Sequence, residues 1–333
     1  METLLTKSLG LRFPIVSAPL GRGSSASYLG ALADAGSMGF VALLHMKEDK
    51  VASELEPIIQ RTAGRFGVNL TLVADQRRRL ATALELGVKN VSVWQGVPDE
   101  YVSQAKRAGA NVFWTVRGPD EARRARELGV DFIVCQGREA GGHLVGEAPL
   151  MSWLPVVVDA ANGVPVLAAG GIADGRGLAA ALALGASGAW MGTRFVASEE
   201  SNLPDGYKRS VVKATASDLL ETTLFDGGWP DSPHRVIRNE TVAAWEAAGC
   251  PPSGARPGEG DIIATPVDED PVRRYAVSTP WSGMGEAWSL GPFYAGMSAT
   301  LIDGILPIRE ILARTTRDAE AILANVLDHL KTR

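Results

Sequence analysis

One histidine, His143, stands where a side chain could transfer a proton. It follows Gly141 and Gly142 in the segment QGREAGGHLVG, which comes directly after the apolar run DFIVC. Glycine is favoured where a backbone takes unusual angles or lies very close to another group. An imidazole titrates near neutral pH and is the usual side chain for acid–base catalysis. The sequence therefore predicts a loop that presents a base to a ligand, with a structural histidine bonded to a carbonyl group as the alternative.

Two further glycine-containing turns could bind a phosphate group. In VLAAGGIADGRGLAAAL an apolar run is followed by Gly170, Gly171 and a helix-like segment, and in GAWMGTRF another is followed by Gly192 and Thr193. Backbone N–H groups in such turns bind anions, helped by a helix N-terminus. An ordinary tight turn would explain either segment alone. The two together favour a single phosphate site, because the last two strand loops of α/β barrels often hold phosphate.

A repeated unit supplies the strands and helices that must position these loops. A segment rich in Ala, Leu and Arg ends at a glycine and precedes a short apolar run in ALADAGSMGFVALL, ATALELGVKNVSVW, SQAKRAGANVFWTV, RRARELGVDFIVC and AAALALGASGAWMG. With FPIVSAP, RFGVNLTL and VPVLAAGG, the chain contains about eight buried strands. This alternation predicts a (β/α)8 TIM barrel, with an open doubly wound sheet as the alternative. In a barrel, the loops that follow the strands share one rim.

The repeated helix–strand pattern of the barrel ends after GTRF. Residues 199–290 are rich in Pro and Gly and hold four of the eight tryptophans, so we expect an inserted, smaller, mainly helical or irregular domain that covers the rim. Residues 1–198 and 291–333 are expected to form the barrel, since the final segment again shows helical spacing. His234, in the inserted segment, is expected at the surface.

The composition limits the partners. The net charge is −5, from 33 Lys and Arg against 38 Asp and Glu without basic blocks, so we expect no nucleic-acid partner. The two cysteines form neither a disulfide framework nor a metal-ligand pattern, and no signal peptide or membrane span is indicated. These features predict a cytoplasmic protein without a metal site or membrane contact, and they are compatible with a homodimer.

Five segments in order between Phe13 and Pro307 carry a family resemblance: FPIVSAPLG, FGVNL, VCQGREAGGH, AAGGIADGRGLAAALALGASGAWMGTRFVASEES and FYAGMSATLIDGILP. In them the chain resembles the nitronate monooxygenase family, formerly called 2-nitropropane dioxygenases, which is related to FMN-dependent enoyl-acyl-carrier-protein reductases. The resemblance implies FMN as cofactor, and a small-molecule substrate and O2 as partners. His143 would be the catalytic base that removes the proton next to a nitro group.

The same resemblance implies an FMN site built from several loops. The turn SAPL would lie under the flavin ring, and Asn69 and Gln136 would bond the polar edge of the ring. Gly141 and Gly142 would let their loop lie against the ring plane, while the glycine turns would hold the phosphate and ribityl groups. The predicted cofactor contacts are Ala18, Pro19, Leu20, Asn69, Gln136, Gly141, Gly142, Gly170, Gly171, Trp190, Met191, Gly192 and Thr193.

Other functions stay open on the sequence. An NAD(P)H-dependent FMN reductase acting on an enoyl thioester or quinone would use a similar flavin site. A non-catalytic flavin-binding protein is a third reading, because a fold does not fix a function. Trp190 and Met297 stand where the family often has Gln, so the substrate is not defined by the motifs.

Overall fold

Eight parallel strands close into a barrel in the computed structural model, which describes residues 1–266 and 270–331. The first nine strands are β1 (Ile15–Ser17), β2 (Met38–Ala42), β3 (Gly67–Thr71), β4 (Asn90–Trp94), β5 (Asn111–Val116), β6 (Phe132–Gln136), β7 (Gly142–His143), β8 (Val166–Ala169) and β9 (Gly188–Met191). All except β7 form the barrel in chain order, and β9 pairs with β1. The predicted TIM barrel is therefore confirmed, and the open sheet is excluded.

Helices separate most of the barrel strands. They are α1 (Leu4–Leu9), α2 (Ala26–Ala35), α3 (Val51–Thr62), α4 (Arg77–Glu85), α5 (Asp99–Arg107), α6 (Pro119–Glu127), α7 (Leu150–Ala161), α8 (Gly175–Ala183) and α9 (Thr193–Val196). The predicted helix-ending glycines act as expected. At Gly36, for example, φ is 89° and the N–H group bonds carbonyl groups at the end of α2, so the chain can turn from the helix into β2.

Aromatic rings fill the interior of the barrel. Phe113 and Phe132 stack with ring centroids 4.5 Å apart, and the Trp190 ring lies 4.6 Å from that of Phe40. All four side chains are buried. They form a packed core across the barrel, as expected for this fold.

A second, smaller sheet lies outside the barrel. The chain continues through α10 (Asp205–Lys213), β10 (Leu219–Thr222), β11 (His234–Ile237), α11 (Glu240–Ala247), β12 (Ile262–Ala264), β13 (Val272–Arg273), β14 (Phe293–Tyr294) and α12 (Ile308–Lys331). Strand β11 pairs with β10, β14 and β7, all antiparallel. This sheet was not predicted, because strands of two to four residues are too short to show a periodicity in the sequence.

The final segment returns to the barrel, as its helical spacing predicts. It forms the single helix α12, which packs against α8 and α2. Within the described residues, no helix has the length and apolar character needed to cross a membrane.

Candidate active site

A cavity lies at the carboxyl ends of the barrel strands and is covered by the inserted segment. Its barrel side includes Asn69 and Gln136, and its cover includes Tyr207, Trp229 and Tyr294. The cavity brings together His143 and twelve of the thirteen predicted cofactor contacts: Ala18, Pro19, Leu20, Asn69, Gln136, Gly141, Gly142, Gly170, Trp190, Met191, Gly192 and Thr193.

Gly171 is the predicted contact that does not line the cavity. Its φ is 72°, and a Cβ atom added there would lie 3.2 Å from Cγ of Glu139. The neighbouring Gly170, with φ of 103°, does line the cavity. The turn after β8 therefore presents one of its two glycines to the cavity.

The cavity wall is polar in places but carries no formal charge on Asp, Glu, Lys or Arg within the described part of the chain. Its polar groups include backbone amides, side-chain amides, hydroxyl groups, the indole N–H of Trp94 and the imidazoles of His45 and His143. In residues 1–266 and 270–331, no group of three or more His, Cys, Asp or Glu side chains is placed to hold a metal ion. An anionic group in this cavity would depend on N–H and O–H donors such as those of Thr193 and Ser298.

The glycine at position 141 is required by a protein contact. A Cβ atom there would lie 2.3 Å from the backbone N of Gly296 and 2.5 Å from the carbonyl carbon of Ala295. Gly142 has φ of 72°, which is the left-handed region that favours glycine. From the sequence, both glycines are expected to make room for a ligand. In the structure, the close approach comes from the segment that follows β14.

The inserted sheet holds His143 in place. His143 pairs with His234 and Gly142 pairs with Arg235 across β7 and β11, and the N–H group of Leu144 donates to the carbonyl oxygen of Pro233 at 2.8 Å. The candidate base is thus fixed by backbone hydrogen bonds to a strand about 90 residues further along the chain. No sequence signal indicated this pairing.

Gln136 anchors the same loop from the barrel side. Its Nε2 donates to the carbonyl oxygen of His143 at 3.2 Å, and its Oε1 accepts from the N–H groups of Val145 and Gly146 at 2.7 and 3.3 Å. The side chain also lines the cavity. Its observed hydrogen bonds are therefore with the loop. One hydrogen of its amide group remains available to a ligand.

Three charged side chains reinforce this arrangement. Glu221 of β10 forms ion pairs with Arg138, in the loop before β7, and with Arg235 of β11. Arg235 also donates to the carbonyl oxygen of Arg138 at 2.7 Å. Arg235 is largely buried, whereas Arg138 and Glu221 are partly exposed. The network links the loop to two strands of the small sheet.

His143 is enclosed by aromatic rings. The Trp229 ring stacks on the imidazole at a centroid distance of 4.0 Å and an angle of 14°, and the His234 and Tyr294 rings lie at 5.0 and 5.4 Å. The Nε2 atom is buried and has no hydrogen-bond partner among the described residues. Burial, with smaller contributions from His234 and His45, lowers the pKa of His143 to about 3. The imidazole is therefore neutral near pH 7 and retains a lone pair.

His234 has a structural role, and its predicted surface position is wrong. The residue is 0% exposed, its Nδ1 lies 2.9 Å from the carbonyl oxygen of Ser232, and its Nε2 accepts from the N–H group of Phe225 at 3.3 Å. These partners assign the hydrogen to Nδ1 and occupy both nitrogens. Burial lowers the pKa of His234. This uncharged imidazole packs beside His143.

Known proteins resemble this chain over most of its length. Residues 2–314 match the family described as nitronate monooxygenase. FabK from Thermotoga maritima is 30% identical, with 99% of both chains covered and a TM-score of 0.84. A nitroalkane oxidase from Streptomyces ansochromogenes is 26% identical, covers 97% of this chain and 99% of its own, and has a TM-score of 0.77. The (3aS,4S,5R,7aS)-5-hydroxy-7a-methyl-1-oxo-octahydro-1H-indene-4-carboxyl-CoA dehydrogenase of Mycobacterium tuberculosis is 36% identical over 250 residues, which are 74% of this chain and 69% of the relative.

The contact at position 141 predicts a stability loss. Gly141→Ala should lower the free energy of unfolding by roughly 1–3 kcal/mol, because the new methyl group must push back the Ala295–Gly296 backbone. Gly192→Ala is the matched control, since φ at Gly192 is −110° and the nearest atom to an added Cβ lies 3.6 Å away. Chemical denaturation measures both variants, and equal stability of the two would contradict the packing argument.

Burial of His143 predicts a stability that falls in acid. The pKa is lowered from 6.5 to about 3 on folding, so the unfolded chain binds more protons between these values and stability decreases as pH falls through that window. In His143→Gln the melting temperature should therefore fall less than in the wild type between about pH 7 and about pH 4.5. Part of the slope remains, because His234 is also buried. His329→Gln, at an exposed site in α12, should keep the wild-type slope.

Proposed function

Because the chain belongs to the nitronate monooxygenase family, whose members are flavin-dependent oxidoreductases, we propose that it is an FMN-dependent nitronate monooxygenase. In this proposal it oxidises alkyl nitronates or nitroalkanes with molecular oxygen. One observation carries the proposal: a neutral, buried imidazole sits in the cavity wall, and the described residues offer neither a partner for its Nε2 nor a charged side chain in the cavity lining. The similarity to a nitroalkane oxidase over nearly the whole chain supports it.

The residues present fit a flavin. Two buried side-chain nitrogens in the cavity wall, Nε2 of His143 and Nε1 of Trp94, have no partner among the described residues, so a ligand with polar edges would supply what they lack. The ring would be held by the loops of Ala18–Leu20, Asn69 and Gln136, and the phosphate by N–H groups around Gly170 and Thr193. When bound, FMN would supply the electron acceptor and the point of reaction with oxygen.

His143 is proposed to move one proton. The C–H bond next to the nitro group breaks, the proton goes to Nε2, and the electron pair stays on the substrate as a nitronate. An imidazolium is disfavoured in this buried site, but the nitronate formed beside it compensates, since opposite charges attract strongly where water is excluded. A substrate supplied as the nitronate would need no such step.

Because only the neutral nitroalkane needs proton removal, loss of His143 should slow its turnover more than turnover of the nitronate. In His143→Asn, kcat/KM for a neutral nitroalkane should fall by roughly 10²–10⁴, whereas kcat/KM for the corresponding nitronate should change far less. Oxygen consumption by the flavin-loaded protein measures both, with His329→Asn as an active control. Equal losses on the two substrates would contradict the role as base, and a purified protein without flavin absorbance would contradict the cofactor.

A second candidate function is oxidation or reduction of an acyl thioester. It is favoured by a specific feature: the cavity shares Leu44, His45 and Val277 with a surface cleft whose described residues include more cations than carboxylates. Among the described residues, the charged side chains of this basic cleft are Arg22, Lys47, Arg79, Arg256, Arg273, Arg274, Glu259 and Asp270. Such a cleft suits the phosphate groups of a coenzyme A tail. The relative named as a carboxyl-CoA dehydrogenase, at 36% identity, supports this candidate.

The basic cleft gives the second candidate its own test. Lys47→Gln/Arg273→Gln removes two exposed cations of the cleft and should weaken binding of coenzyme A by roughly threefold to tenfold, less so at high salt. Turnover of a small nitronate should stay unchanged. Arg123→Gln/Arg124→Gln makes the same charge change on α6 and serves as the control. Calorimetric titration that finds no coenzyme A binding by the wild type would contradict this candidate.

A further inference from the structure

The side chain that covers His143 most closely comes from the inserted segment. Trp229 stacks on the imidazole almost in parallel, and its ring meets the ring of Trp94 edge to face at 5.2 Å and 74°. The Trp94 ring lies 6.3 Å from that of His143. Trp229 and Trp94 therefore form a corner around the imidazole, and both line the cavity.

Backbone contacts hold Trp229 at this position. It lies in the connection between β10 and β11. There the N–H group of Gly227 donates to the carbonyl oxygen of Tyr275 at 2.9 Å, and the carbonyl oxygen of Gly227 accepts from the N–H group of Val277 at 3.2 Å. The N–H group of Trp229 itself donates to the backbone carbonyl oxygen of Asp226 at 2.8 Å. The loop is thus anchored on both sides of Gly228, whose φ is 95°. The indole therefore contacts His143 from a turn that backbone hydrogen bonds hold in place.

The charge on His143 is governed by access of water. The titratable groups that face it are His234 from β11, His45 from the loop after β2 and Tyr294 from β14. His234 is neutral, burial raises the pKa of Tyr294 well above its usual value, and no carboxylate lines the cavity within the described residues. With no counter-ion at hand, protonation depends on how well the ring is hydrated.

We propose that Trp229 is a positioning residue for His143: the stacked indole fixes the plane of the imidazole and keeps water from one of its faces. The indole thereby keeps the free enzyme's imidazole unprotonated in mildly acidic conditions, so that the lone pair stays available. The consequence for turnover rests on the proposed function of His143 as a base. The effect on the protonation of His143 is independent of that function.

Titration of the histidines by NMR tests the proposal directly. In protein labelled with ¹³C-histidine, the His143 signal is identified by its absence in His143→Asn. The wild-type imidazole should stay neutral to below about pH 5, whereas Trp229→Ala should raise the pKa of His143 by about one pH unit or more. Trp229→Phe, which keeps a stacking ring, should remain close to the wild type. Trp245→Phe changes a tryptophan of the same segment that lies outside the cavity, and should leave the titration unchanged.

Kinetics then connect the titration to turnover. In Trp229→Ala, kcat/KM for a neutral nitroalkane should acquire an acidic limb at the raised pKa of His143, and kcat should fall more than KM rises. An unchanged His143 titration in folded Trp229→Ala would overturn the proposal whatever the activity. If no nitroalkane is turned over by the wild type but the titration moves as expected, the positioning role stands and only the proposed function fails.

Discussion

The candidate site depends on one interaction, the antiparallel pairing of β7 with β11. Two residues of the loop after β6 leave the barrel rim and join a sheet formed mostly by the inserted segment. Two further interactions hold the loop that carries His143. They are the hydrogen bond from the amide of Gln136 and the ion pairs of Glu221. The inserted segment therefore holds the candidate base in position and also covers the cavity.

The second organising feature is the distribution of charge. Among the described residues, the cavity is lined by amides, hydroxyls, aromatic rings and the neutral imidazole of His143, while the arginines and lysine line the neighbouring basic cleft. In such surroundings a charge that appears during a reaction is poorly solvated, so it is strongly coupled to a charge of opposite sign nearby. A proton transfer that creates both charges together fits this environment better than one that leaves an isolated cation.

The sequence predicted the barrel well because its signal is local. Glycines such as Gly36 end helices in the left-handed conformation, and each is followed by a short buried strand. The rim geometry of that fold predicted that the loops after the strands would meet, whereas the individual cofactor contacts were implied by the family resemblance. The interpretation of Gly141 was incomplete, because its contact with Gly296 joins segments 155 residues apart. His234 was misplaced for the same reason, since its burial arises from a sheet assembled out of four short, distant strands.

The most direct test of the account is a crystal structure of the protein as purified, with its cofactor bound. We expect FMN in the cavity, with its phosphate bonded to N–H groups of the turns at Gly170 and Thr193. The His143 imidazole should lie at the substrate side of the ring, with β7 paired to β11. A cofactor that binds elsewhere, or a His143 side chain turned away from the flavin, would contradict it.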